Sequence, residues 1–377
     1  MRTEIHGFCD PLFSPFRDVF EANFDAGLEL GASLGITWHG RLVVDLWSGF
    51  ADVEATRPWE KGTIVAVAST TKIMLMIAAL MVIERGLLDL DAPVARYWPE
   101  YAQGGKAAVT VRDALTHQGG VPGFDVQIAD EDLCDWTRAT ARLAAEPHWF
   151  DGERRICYHF HTYGLLIGEL IRRVDGRRPR QFLQEEIFSK VGADFLIGLT
   201  PDATSRIAEL KIPDGAFEGD GILERMINSV DMTTMRTWPR LSAELPSGNG
   251  YTNGRSIALA GAIIANGGLA DGKRLLLPAT IALAGQEHAY GPDPYLGMLR
   301  LGLGFGIDSA EFPAAVPTAM HWWGYGGSGC IMDPLSGISC GYAPNNWSVP
   351  DLADGQLAYD ARISGVAAAF AEVVAGL

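Results

Sequence analysis

The sequence predicts an α+β protein with two lobes. An antiparallel sheet flanked by helices is built from both ends of the chain, and a mainly helical lobe is inserted between them. Strand patterns occur before residue 50 and again after residue 302, whereas helical periodicity dominates from about 69 to 197. When both ends supply strands and the middle supplies helices, one sheet with an insertion is the simplest arrangement. We expect a single unit over 1–377, with an α/β lobe at about 1–68 and 245–377 and a helical lobe at about 69–244.

The first elements are one helix and one hairpin. Phenylalanines recur at helical spacing, which predicts an amphipathic helix over 12–30. Two apolar runs, 34–38 and 42–47, then flank His39 and Gly40. A two-residue connection that contains glycine predicts a tight β-hairpin between those runs.

The later elements follow the same two periodicities. Helices are predicted at 73–84, 111–115 and 163–174, and a last helix is predicted at 356–374. Strands are predicted at 302–307, 330–332 and 338–342. The last two strands would be joined by a turn at 333–337, where Asp, Pro, Ser and Gly cluster.

Composition and charge exclude several classes of protein. Hydrophobic residues make up 48% and charged residues 20% of the 377, which is an ordinary globular balance. The net charge of −16 repels phosphate backbones and anionic lipids, so we expect no nucleic-acid or membrane partner. The longest apolar run, 73–83, is too short to span a bilayer, and the N-terminus lacks a signal sequence. Five cysteines without paired spacing indicate reduced thiols and a cytoplasmic location.

The sharpest chemical signal is Ser69 followed by Lys72, directly before that apolar run. Serine is a good helix start, and a run that is apolar on every face predicts a buried helix. Positions three apart share a helix face, so the lysine amine can reach the serine hydroxyl. Burial lowers the pKa of an amine and can make it a general base for a nucleophilic hydroxyl. The alternative is a helix cap with a snorkelling lysine.

Ser33 is a competing nucleophile because Gly31-Ala32-Ser33-Leu34-Gly35 matches the Gly-x-Ser-x-Gly pattern. That pattern requires a strand before the serine and a helix after it. Here the predicted helix comes first and the hairpin strand follows, so the context does not support Ser33.

Two more segments complete a set of motifs. Tyr158 precedes a helix rich in Leu and Ile, and Trp322-Trp323-Gly324-Tyr325-Gly326-Gly327 leads into a late strand. With Ser69-x-x-Lys72, these motifs resemble the serine β-lactamase-like superfamily, and most closely the family VIII carboxylesterases, which share the fold of class C β-lactamases and penicillin-binding proteins. The resemblance covers nearly the whole chain. It includes the segments 85–94, 111–122, 166–176 and 246–250.

The resemblance implies a role for each motif. Ser69 would be the acylated nucleophile and Lys72 its base. Tyr158 would share the proton with Lys72 and pass it to the leaving alcohol. The backbone N–H groups of Ser69 and Tyr325 would form the oxyanion hole. Gly324 has no side chain and would let the backbone approach a substrate closely.

Two departures from class C β-lactamases bear on the substrate. Phe160 stands where those enzymes have asparagine, and Trp322 stands where they have a lysine that attracts the β-lactam carboxylate. Phe160, Trp322 and Trp323 therefore predict an apolar pocket for uncharged esters. By the same resemblance Phe124 would wall the acyl pocket, although a place in the core is an equal alternative.

The sequence thus predicts a serine carboxylesterase of small uncharged esters, with acyltransferase activity as a side reaction. The alternatives are a β-lactamase or D-amino-acid peptidase, and a catalytically silent scaffold. We expect no cofactor and no metal, because His159 and His161 lack an evident third ligand. His117 is expected to make a structural hydrogen bond rather than to act in catalysis. The sequence does not indicate the oligomeric state.

Overall fold

The computed structural model describes residues 4–214, 221–348, 351–353, 356–358 and 360–377. Its strands are β1 His6–Cys9, β2 Gly31–Trp38, β3 Arg41–Gly49, β4 Val65–Ala66, β5 Leu196–Ile197, β6 Gly250–Thr252, β7 Leu269–Ala270, β8 Lys273–Arg274, β9 Ala289–Asp293, β10 Gly297–Leu301, β11 Gly306–Ile307, β12 Met320–Trp323, β13 Gly329–Asp333, β14 Ile338–Pro344, β15 Asp351–Ala353 and β16 Gln356–Ala358. Its α-helices are α1 Ser14–Asp25, α2 Lys72–Glu84, α3 Val111–Leu115, α4 Asp130–Leu133, α5 Trp136–Ala145, α6 Thr162–Asp175, α7 Pro179–Leu183, α8 Ser189–Val191, α9 Gly221–Ile227, α10 Trp238–Ser242, α11 Gly254–Ala265, α12 Pro278–Ala284 and α13 Ala361–Gly376.

The main sheet joins the two ends of the chain. Its order is β1-β3-β2-β14-β13-β12-β11-β10-β9, and every neighbouring pair is antiparallel. Strand β14 pairs with β2, so a C-terminal strand lies directly beside an N-terminal one. This confirms the α+β prediction of one antiparallel sheet built from both ends. The division into lobes at residues 68 and 245 remains a prediction.

Helices cover both faces of this sheet. The aromatic side chains of α1 pack with α13 on one face, in a core that includes Phe16, Phe20 and Phe370. Helix α11 lies on the other face, where β2 and β14 present Gly35 and Gly341. A Cβ at either glycine would collide with the backbone of α11. The missing side chains therefore let the helix approach the sheet closely.

The central helix α2 is enclosed by the rest of the protein. All of its residues from Lys72 to Val82 are buried, as the uniformly apolar run predicts. It packs beside α6, which follows the Tyr158 segment, so the packing of these two helices brings the first two motifs together. Among the described residues, no helix combines the length and the apolar character needed to cross a membrane.

The predicted boundaries need several corrections. The hairpin at His39-Gly40 is confirmed, with φ of 46° and 75° at its two turn residues. The first helix spans only Ser14–Asp25. The predicted strand 302–307 reduces to Gly306–Ile307, because a glycine-rich turn separates it from β10. The last helix begins at Ala361, since residues 356–358 form β16, paired with β15.

Candidate active site

Ser69 lies on a tight turn rather than at a helix cap. Residues Ala68–Thr71 form a 3₁₀ turn, and the α-helix begins only at Lys72. Ala68 has a φ of 42°, a left-handed conformation that is rare for a residue with a side chain. The Thr71 hydroxyl stabilises this turn by donating to the Ala68 carbonyl at 2.6 Å and accepting from Gly250 N at 3.1 Å. The turn is thus tied to β6, and Ser69 faces the cavities described below.

Lys72 is fully buried and is held by three contacts. Its Nζ lies 3.1 Å from Ser69 Oγ and 2.9 Å from the carbonyl oxygens of Phe160 and Ser247. No carboxylate pairs with it among the described residues, and burial lowers its pKa well below the usual range of a lysine. A neutral amine has two N–H groups and one lone pair. In that neutral form, N–H groups directed to the two carbonyls would leave the lone pair toward the Ser69 hydroxyl.

Tyr158 lies in the segment that leads into α6, and its side chain is buried beside the same serine. Burial raises the pKa of its phenol, while a hydrogen bond with Ser69 opposes that rise. The nearby indole N–H of Trp322 also acts to lower the Tyr158 pKa, although this N–H makes no hydrogen bond of good geometry. Lys72 Nζ lies 4.8 Å from the centre of the phenol ring. The raised pKa favours a protonated phenol, and the lowered pKa of Lys72 favours its neutral amine.

The third motif meets the nucleophile turn through Gly324. A Cβ at Gly324 would overlap the carbonyl oxygen of Val67 and would lie 2.8 Å from Thr70 Oγ1. Ser328 stabilises this approach by donating to Val67 O at 2.7 Å and by a 2.8 Å contact with the Thr70 hydroxyl. Tyr325, the next residue along, lines the same cavities as Ser69.

Two cavities meet at Ser69. A large one of about 670 Å³ is lined mainly by apolar side chains, among them Ile207, Met232, Met235, Leu241 and Leu245. A small one of about 80 Å³ is lined by Tyr158, Tyr295, Phe312, Trp322, Trp323 and Gly324, among others. We call these the large chamber and the small chamber. Ser69, Phe160 and Tyr325 line both, so the nucleophile lies at their junction.

The two phenylalanines predicted to line the substrate pocket, Phe160 and Phe124, lie in different environments. Phe160 lies at the junction of the chambers, and its backbone carbonyl also accepts from Lys72. Phe124 is only 1% exposed and lies in the hydrophobic core, outside the lining of both chambers. The structure therefore places Phe124 in the core, which was the alternative, and not in the lining of either chamber.

Sequence reasoning missed two residues. Ser247 accepts from Lys72 through its carbonyl, and its hydroxyl donates to His161 O and accepts from Gly164 N, both at 2.5 Å. The only signal was its place in the 246–250 segment of the family resemblance. Asp293 accepts from the Tyr158 backbone N–H at 2.5 Å. No local pattern marks it, because its partner lies 135 residues away.

The competing candidates have structural roles. Ser33 is buried on β2, and its hydroxyl accepts from Gly254 N at 2.9 Å, at the start of α11. His117 accepts from the His159 backbone N–H at 3.1 Å. His159 contacts the Cys157 carbonyl through Nδ1, which assigns the proton to that nitrogen, and accepts from Val121 N through Nε2. The described residues contain no group of three or more metal-ligating side chains in a suitable arrangement.

Comparison with known proteins identifies the family. A model of the beta-lactamase family matches residues 20–363. The chain belongs to the beta-lactamase family. This family member is 31% identical over 366 residues to Esterase/beta-lactamase LipL of Mycobacterium tuberculosis, covering 92% of this chain and 84% of that protein.

Two solved structures agree with this assignment to the beta-lactamase family. The structure of a family VIII carboxylesterase is 34% identical with a TM-score of 0.88, covering 98% of this chain and 100% of that one. A penicillin-binding protein homologue from Caulobacter crescentus gives 34% identity and a TM-score of 0.87 over the same shares. The predicted family and fold are confirmed, and the chain is a serine hydrolase.

Proposed function

We propose that the protein is a carboxylesterase that hydrolyses small uncharged esters through an acyl-enzyme on Ser69. One observation carries this proposal: the buried Lys72 amine contacts Ser69 Oγ at 3.1 Å while two carbonyl oxygens accept its N–H groups. Such an amine is a base aimed at a hydroxyl. The esterase relative and the carboxylesterase structure reported above support the same reaction class.

The proposed reaction has two halves. Lys72 takes the proton of Ser69 as Oγ attacks the ester carbonyl, and the N–H groups of Ser69 and Tyr325 stabilise the oxyanion. As the C–O bond breaks, Tyr158 gives its proton to the leaving alkoxide and regains one from the Lys72 ammonium. Water then attacks the acyl group in place of the alcohol, and the same groups return the proton to Ser69.

The position of Tyr158 supports one orientation of the ester in the two chambers. A leaving alkoxide must lie beside its proton donor, and Tyr158 lines only the small chamber. The alcohol part therefore occupies the small chamber of about 80 Å³, and the acyl part extends into the large chamber of about 670 Å³. We propose esters that combine a short alcohol with a larger apolar acyl group.

The same lining argues for uncharged substrates. No lysine or arginine is among the residues that line the small chamber in the described part of the chain, and Trp322 offers only an indole N–H. A carboxylate carried by the leaving group would lose its hydration there without gaining a cation. This argument also disfavours β-lactams. The aromatic lining excludes bulk water in part, so alcohols or amines would compete with water for the acyl-enzyme.

The test is the intact mass of the protein after brief exposure to a panel of esters, followed by rates of acid release. We expect an acyl adduct on the native protein, loss of adduct and turnover in Ser69→Ala, and faster hydrolysis of ethyl hexanoate than of hexyl acetate. Ser33→Ala is the matched control and should form the adduct and hydrolyse the esters at the native rate. Adducts that persist in Ser69→Ala would refute the nucleophile. Faster turnover of a chromogenic β-lactam than of any ester would favour the β-lactamase alternative.

Two further measurements separate the remaining alternatives. Benzylamine and the smaller ethylamine, each added with a vinyl ester, should give an amide if acyl transfer occurs, and no amide above background with either amine would remove that activity. A fluorophosphonate probe should label the native protein and not Ser69→Ala. An unlabelled native protein that hydrolyses nothing would support the silent scaffold.

A further inference from the structure

The hairpin between β9 and β10 connects the wall of the small chamber to the Tyr158 backbone. Its loop is 294–296, and Gly297 closes it with a φ of 75°, a conformation that suits a three-residue hairpin loop. Tyr295 and Leu296 of this loop line the small chamber, and the Tyr295 ring lies 6.4 Å from that of Tyr158. The hairpin and the tyrosine thus form one surface, although they are far apart in the chain.

The buried carboxylate of Asp293 joins the β9–β10 hairpin to Tyr158. Asp293 is 4% exposed, and its Oδ1 accepts from the backbone N–H groups of Tyr295 at 2.9 Å and Leu296 at 2.7 Å. Its Oδ2 accepts from the backbone N–H of Tyr158 at 2.5 Å. All three bonds go to backbone donors, so they position main chain rather than pair a charge. Burial raises the pKa of Asp293 to about 6, while these hydrogen bonds and the positive charge of Arg155 act to lower it.

We infer that Asp293 is a positioning residue that holds the proton donor Tyr158 and the alcohol-binding hairpin in one fixed geometry. The inference rests on the proposed function, because it requires Tyr158 to protonate the leaving alcohol. Asp293 touches no reacting atom. It holds the Tyr158 main chain, and its charge also raises the pKa of the phenol. A small displacement of the phenol weakens proton transfer to the alkoxide.

The test uses leaving groups of similar size and different acidity. Ethyl and 2,2,2-trifluoroethyl esters of the same acid give one acyl-enzyme, but trifluoroethoxide leaves with much less help from a proton donor. In Asp293→Asn one of the two side-chain atoms becomes an NH₂ group, which opposes a backbone N–H in either orientation. We expect kcat/KM for the ethyl ester to fall roughly 10- to 100-fold, and for the trifluoroethyl ester less than about threefold, since general acids contribute on this scale.

A second variant and a matched control separate this role from hairpin stability. In Asp293→Ser the shorter hydroxyl can still cap the hairpin turn but cannot reach Tyr158. We therefore expect kcat/KM to fall more for the ethyl ester than for the trifluoroethyl ester in this variant too. The control is Asp333→Asn. Asp333 is equally buried and caps the β13–β14 turn through Leu335 N at 3.2 Å and Ser336 N at 2.9 Å, with no bond to Tyr158.

Each outcome decides one question. Folded Asp293 variants with the native ratio of ethyl to trifluoroethyl ester rates would overturn the inference, as would the same change of ratio in Asp333→Asn. If Asp293→Asn fails to fold, the ratio in Asp293→Ser decides. Undiminished hydrolysis by Ser69→Ala would instead refute the proposed function, whatever the Asp293 variants do.

Discussion

Gly324→Ala tests whether the segment Gly324–Tyr325 must approach the turn Ala68–Thr71 closely. The added Cβ would overlap the carbonyl oxygen of Val67 and lie 2.8 Å from Thr70 Oγ1, against 3.4–4 Å for an ordinary contact. The added Cβ would also overlap the Ser328 hydroxyl that bonds Val67 O, and Val67 O belongs to backbone, so the peptide that carries the Tyr325 N–H must move. A displacement on the order of 1 Å is enough to misalign a reacting group.

The expected cost follows from the oxyanion-stabilising role proposed for that N–H. Loss of one oxyanion donor lowers kcat by roughly 10²- to 10³-fold, or about 2.7–4 kcal/mol in the barrier. We therefore expect Gly324→Ala to reduce kcat for ethyl hexanoate about 100-fold, measured as acid release at constant pH. KM should change little, because the donor acts mainly on the transition state.

The control for this substitution is Gly62→Ala, where an added Cβ meets no atom within 4 Å and the backbone conformation is ordinary. It should keep native activity. Circular dichroism and a fluorophosphonate titration of Ser69 would establish that both variants are folded. A folded Gly324→Ala variant with kcat within about threefold of the native value would refute the oxyanion assignment, since that loss is far below the cost of a donor.

Three other predictions concern the base, its titration and the rejected serine. Lys72→Met should lower kcat/KM about 10²- to 10⁴-fold. The control Lys106→Met removes another buried lysine, one that bonds the carbonyls of Gln103 and Ala144, and should retain activity while melting at lower temperature. Because burial lowers the Lys72 pKa, kcat/KM should fall as pH drops through that lowered value, where the ammonium cannot accept a proton. A rate that rises on acidification would contradict this. Ser33→Ala should keep full activity but lose about 1–3 kcal/mol of unfolding free energy, since it leaves the buried Gly254 N–H unpaired; denaturant titration measures this.

The corrections to the sequence predictions share a physical cause. Ser69 was predicted to start a helix, but residues Ala68–Thr71 form a 3₁₀ turn that begins at the left-handed Ala68 and is tied to β6 through the Thr71 hydroxyl. Residues 356–358 were included in the predicted last helix, yet they form a strand that pairs with the neighbouring β15. In both cases hydrogen bonds to another segment, distant for Thr71 and nearby for β16, override the helix that was predicted from the residues themselves.

The sequence alone determined the elements of the chemistry. A buried amine beside a hydroxyl is predicted by the spacing of Ser69 and Lys72 and by the apolar run that follows them. Residues three positions apart on a helix lie on the same face. Tertiary structure decided what surrounds that pair. The carbonyls that bind Lys72 lie 88 and 175 positions away, and the carboxylate that holds Tyr158 lies 135 positions away. Such contacts depend on how whole elements pack, and no local periodicity encodes them.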